Sequence, residues 1–106
     1  MGSTCRGAAE FVEKEHYWVV AYDSPSNKRR ARIAQLLEGY GQRVQWSVFE
    51  CRLRRDEVQG LLRRLQRLIH HEEDSLRLWP IPDRSWGRLV HMGRAVPVAE
   101  WTDKVV

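Results

Sequence analysis

The stretch that most limits what this chain can fold into is Tyr17 to Asp23, Y-W-V-V-A-Y-D, six apolar or aromatic residues followed by one acid. A run this short, rich in aromatic and β-branched types, suits a buried central strand and not a helix. Ser24-Pro25 closes it, because the residue before a proline is pushed out of the α region. Asp23 then stands at the carboxyl end of a central strand, where sheets covered by helices commonly hold ligands. The same residue type also serves turns and helix N-caps, so position alone leaves both uses open.

The rest of the chain supplies what such a strand needs. Residues 26–38 carry Ile33, Leu36, Leu37 and, beyond them, Tyr40 at helical spacing, with Gly39 and Gly41 where a helix should stop. Lys28, Arg29, Arg30 and Arg32 load its first turns, against the helix dipole, a placement that suits an end meeting phosphate. Residues 43–51, R-V-Q-W-S-V-F-E-C, alternate Val44, Trp46 and Val48 with Gln45, Ser47 and Phe49, the period of a strand, and leave Phe49 on the otherwise polar face. An aromatic there packs across strands or stacks on a base. Residues 55–70 give the clearest helix, with Val58, Leu61, Leu62, Leu65, Leu68 and Ile69 in one stripe and Arg63, Arg64 and Arg67 off it. The H-H-E-E-D cluster at 70–74 reads as helix-end charges and a solvated loop. A third strand is expected over 75–79, broken by Pro80 and Pro82, a fourth over 86–92, and a short last one through Val96, Val98 and Trp101, confined to an edge by Pro97.

One hundred and six residues allow a single domain. The formal charge is +4, and 15 of the 18 basic residues are arginine. Arginine's planar fork binds phosphate bidentately and stacks on bases, so the bias points to a polyanion. No apolar run reaches membrane-spanning length, and the first sixteen residues lack the basic-then-apolar pattern of a signal peptide; they read as a mobile extension. Cys5 and Cys51 have no metal-type spacing, and Cys51 reads as a reduced structural thiol of a cytoplasmic protein. Two helices that each follow a strand must cover one face of a sheet, as in the ferredoxin-like β-α-β-β-α-β sandwich. That arrangement needs a second strand between the helices, and residues 43–53 contain no Asn-Gly or Asp-Gly turn, so pattern leaves the topology open.

Y-D-S-P-S-N-K-R-R-A-R-I-A-Q-L-L-E-G-Y-G, R-V-Q-W-S-V-F-E-C and E-E-D-S-L-R-L-W, taken together, resemble the small second core protein of CRISPR adaptation, the CRISPR-associated endoribonuclease two family, from about Tyr17 to Met92. The resemblance implies an α+β ferredoxin-like domain over 17–93, with residues 42–53 forming two strand pieces. It implies a homodimer in which an additional C-terminal edge strand, within 94–106, packs on the partner protomer. It assigns Asp23 to metal and catalysis, Ser47 and Phe49 to the catalytic motif, and Lys28, Arg29, Arg30, Arg32 and Arg43 to nucleic acid. The partners it implies are double-stranded protospacer DNA, an integrase subunit and, for a ribonuclease, single-stranded RNA. Many relatives carry a second acid soon after the first, where this chain has Ser24, Pro25, Ser26 and Asn27. A two-fold axis would answer that by bringing two Asp23 carboxylates to one Mg²⁺ or Mn²⁺. The rival readings are a metal-dependent ribonuclease of toxin type, a catalytically silent DNA scaffold and a plain RNA-binding module.

Overall fold

The structure, a computed structural model, describes residues 14–93. The N-terminal extension up to residue 13 and the expected last strand lie outside the described residues. β1 (His16–Asp23) is followed by α1 (Asn27–Glu38), β2 (Gly41–Gln45), β3 (Val48–Leu53), α2 (Arg55–Leu68), β4 (Ser75–Ile81) and a single helical turn, α3 (Asp83–Trp86). The four strands form one sheet in the order β2-β3-β1-β4, with β1 antiparallel to both neighbours. This is the β-α-β-β-α-β ferredoxin-like sandwich, and residues 41–53 supply the missing strand as a hairpin.

Strand periodicity sorts β1 into two faces. Val20 and Tyr22 point to the helices, beside Phe49, Cys51 and Leu53 of β3. Ile33, Ala34 and Leu37 of α1 and Val58, Leu61 and Leu65 of α2 close over them. Burial pushes the Cys51 thiol up to about 11, so it stays protonated at neutral pH. The opposite face of β1 carries Tyr17, Val19, Ala21 and Asp23, and neither long helix covers it.

Four local expectations change. Phe49 does not lie on a polar face but in the core, with no exposed surface, whereas Trp46 is 55% exposed. The reason is the turn at Trp46-Ser47, which splits the presumed single strand, while a register shift between Arg43 and Gln45 resets the alternation. β4 runs through Pro80 instead of stopping before it, which an edge strand permits because one row of its N–H groups is unpaired anyway. The expected strand over 86–92 is replaced by α3 and irregular chain up to residue 93, and Trp86 stacks on Tyr17 with ring centroids 4.3 Å apart. At the other end, β1 begins at His16, and Lys14 and Glu15 pair with Asp83 and Arg52, so these residues belong with the domain.

Candidate nucleic-acid interface

The tip of β1, the first turns of α1 and the β2–β3 turn meet at one end of the sheet. Their junction is built by serines. Ser24 Oγ accepts from the Ser26 N–H, and Ser26 Oγ accepts from the Arg29 N–H at 3.1 Å, which makes Ser26 the N-cap of α1. Asp23 is therefore released from capping. It is exposed, lies opposite Ser75 on β4, and borders a hollow of about 220 Å³ with Arg77 and Trp79. The carbonyl of Ser47 accepts from the Tyr22 N–H at 3.1 Å, so the β2–β3 turn is tied to the residue next to Asp23.

The basic residues of α1 divide into three kinds. Lys28 and Arg32 are exposed to solvent. Arg30 donates to the Ser24 carbonyl and to Asn27 Oδ1, which holds its guanidinium against the β1–α1 loop. Arg29 is occupied within the chain: its Nε donates to Asp74 Oδ2 and its Nη2 to Glu73 Oε1, both at 2.7 Å. The expected nucleic-acid role of Arg29 is therefore not supported by its surroundings, because two carboxylates already neutralise it. The 70–74 cluster is correspondingly more than a solvated loop, since the Asp74 carboxylate has no exposed surface and also accepts from the His70 N–H at 2.8 Å.

Arg29 holds the Asp74 carboxyl well below the usual carboxylate range. The sign follows directly: a carboxylate more acidic when folded stabilises the fold above its unfolded value of 3.8, and loses that contribution as pH falls towards its folded value. Asp74→Asn should therefore lower the urea midpoint at pH 7 and flatten its fall between pH 5 and pH 2. A variant with the full acid dependence of the parent would contradict this.

Arg43 stands in the middle of β2 and is almost completely covered. Its guanidinium sits 5.3 Å above the Phe49 ring, and its Nη2 is 4.0 Å from Glu38 Oε2, beyond hydrogen-bond length. Among the described residues its Nε has no hydrogen-bond partner. The Phe49 ring has no exposed surface and packs in the core, where it does not face a substrate base directly. Reading of the sequence missed Trp46, Arg77 and Trp79. The signal was present as tryptophans two or three residues from an arginine, but only the fold shows that these face outward.

Among the described residues no three His, Cys, Asp or Glu side chains converge in a way that holds a metal ion. One protomer offers one accessible carboxylate here, Asp23. Magnesium commonly takes one or two carboxylates from protein and fills its shell with water and phosphate, a donor set that an exposed carboxylate such as Asp23 suits. No helix among the described residues is long and apolar enough to cross a membrane.

A helix-backed four-stranded sheet with a lone carboxylate at the tip of its central strand, flanked by a basic helix end, defines a small ferredoxin-like α+β protein with a charged rim. The family model described as CRISPR associated protein Cas2 matches residues 16–89, and the chain belongs to that family. It is 53% identical over 64 residues to the CRISPR-associated endoribonuclease Cas2 3 of Synechocystis sp., covering 60% of this chain and 70% of that one. The crystal structure of Streptococcus pyogenes Cas2 at pH 6.5 superposes with a TM-score of 0.66 at 33% identity, covering 73% of this chain and 99% of the other. A chain of a partial Cas6-RT-Cas1–Cas2 complex matches with a TM-score of 0.65 at 27% identity, over 73% of this chain and 90% of that one.

Proposed function

We propose that the protein acts in CRISPR adaptation as a homodimer that holds double-stranded DNA and joins an integrase subunit, with a phosphodiester-cleaving site completed by the second copy. The observation that carries this is the face of β1 that the two long helices leave open, where Trp86 covers only the Tyr17 end. A strand of an antiparallel sheet with one solvated face normally alternates apolar with polar residues. Here Val19 and Ala21 are apolar on that face too, beside Trp79 of β4, with Tyr17 under Trp86 at one end of the row and Asp23 at the other. Two such faces brought together by a two-fold axis bury these residues and bring the two Asp23 rows towards each other.

In that dimer the two Asp23 carboxylates would hold Mg²⁺ or Mn²⁺. When bound, a divalent ion polarises the phosphodiester and lowers the pKa of its water. The chain's own part is to supply Asp23, to keep Ser47 beside it through the Tyr22 hydrogen bond, and to present Lys28 and Arg32 to phosphate oxygens. The integrase partner is supported by the Cas1–Cas2 assembly named above, and an RNA substrate by the Synechocystis relative's name.

The test is a salt titration of duplex DNA binding. Each phosphate contact contributes about 0.9 to the slope of log K against log salt. Replacing Lys28 and Arg32 by glutamine in both copies should make that slope shallower by roughly 3 to 4 and weaken binding to all sequences alike. A flat slope in the parent protein would sink the reading. In the same preparations Asp23→Asn should abolish divalent-dependent cleavage of duplex DNA and single-stranded RNA while leaving affinity unchanged. If the parent cleaves neither, the silent scaffold replaces the nuclease.

A further inference from the structure

We infer that the cavity bordered by Trp46 is a pocket for one unpaired purine nucleotide, with guanine as the preferred base. The cavity measures about 190 Å³ and is lined by Tyr22 from β1, Asn27, Arg30, Ala31 and Ala34 from α1, Arg43 from β2 and Trp46 from the turn. It is smaller than the pockets that take drug-sized ligands, so it suits the base of a nucleotide, with the sugar and phosphate at its open side.

Three features of its walls select the ligand. The first is Arg43, whose side chain is 9% exposed and whose Nε lacks a hydrogen-bond partner among the described residues. That Nε is itself sealed from solvent, so an entering acceptor would meet the part of this largely desolvated side chain that lines the cavity. The second is Trp46, a large aromatic left 55% exposed at the lip, in a turn whose backbone is pinned through Ser47 to β1. Unpaired bases stack on such side chains. The third is the mixed lining. Ala31, Ala34 and the rings of Tyr22 and Trp46 offer apolar surface that a bare phosphate would not use and a planar base would. Guanine presents two acceptors, O6 and N7, spaced for an arginine fork. Arg30, fixed by Ser24 and Asn27, adds positive charge at the wall for the nucleotide's phosphate.

This inference rests on the nucleic-acid reading above and adds that an unpaired nucleotide beside the duplex is held separately. The test titrates the full chain with 5′-GMP, 5′-UMP and inorganic phosphate, followed by calorimetry and tryptophan fluorescence. GMP should bind saturably, with UMP and phosphate weaker by about tenfold or more. Trp46→Ala, a change at an exposed position, should weaken GMP by about tenfold and leave the salt slope of duplex binding alone. Arg43→Lys keeps the charge but loses the fork, and should bring GMP and UMP to similar affinity. Phosphate binding as tightly as GMP, no saturation with GMP, or an unaffected Trp46→Ala protein would each overturn the pocket. GMP saturation in a protein that ignores duplex DNA would instead overturn the adaptation reading and keep the pocket.

Discussion

Phe49→Ala should destabilise the domain by about 3 to 5 kcal/mol, the usual cost of removing a buried aromatic ring. Phe49 has no exposed surface and lies 6.3 Å from the Tyr22 ring at a tilt of 34°. The Arg43 guanidinium lies over the Phe49 ring, so the truncation also removes that cover from a buried charge. For a domain of this size, each kcal/mol shifts Tm by roughly 4–8 °C, so the loss should exceed about 12 °C. Urea denaturation should show a lower midpoint at unchanged slope. Phe49→Leu separates packing from chemistry, because it keeps most of the volume and none of the stacking ring. It should fold and hold duplex DNA as the parent does. A Phe49→Leu protein that is fully stable but has lost nucleic-acid binding would restore the base-stacking role that the buried position argues against.

Gly41→Ala should cost on the order of 3 kcal/mol, or prevent folding, for a reason invisible in composition. A β-carbon at Gly41 would lie 2.3 Å from the Glu50 carbonyl oxygen and 2.5 Å from Cys51 Sγ. The first neighbour is backbone of the paired strand, so relief requires moving β2 away from β3 and loosening the Gly41–Cys51 register. The control is Gly39→Ala. Gly39 caps α1 with φ −77°, a conformation any residue adopts, and its added carbon would meet only the Leu36 carbonyl at 3.4 Å. That change should be neutral or stabilise by about 0.4–1 kcal/mol through the unfolded chain. Equal Tm values for the two alanine proteins would refute the close-approach argument.

The two glycines show how sequence and structure share the information. Either one fits a helix stop when read along the chain. Only strand pairing shows that Gly39 needs no glycine and that Gly41 does. Phe49 is a similar case. Its alternation was legible, but its phase was not, because the Trp46-Ser47 turn lacks the glycine or asparagine that usually announces a hairpin, and no non-glycine residue among those described has positive φ. Arg29 is a third. Its place among four cations suggested phosphate, yet partners 44 and 45 residues away occupy it.

Local chemistry settled the elements. An unbroken apolar run, two amphipathic stripes and serines before a helix are properties of neighbouring residues, and they set β1, α1 and α2 without reference to the rest of the chain. They also set Asp23 at a strand tip and Lys28 and Arg32 on an exposed helix end. The division of side chains between core, ion pair and open surface was decided by tertiary structure alone. Burial and charge neutralisation depend on which distant segments arrive at a residue, and a one-residue shift of strand register exchanges the inner face for the outer. For that reason Phe49 and Trp46, three residues apart, end on opposite sides of the question of who meets a ligand.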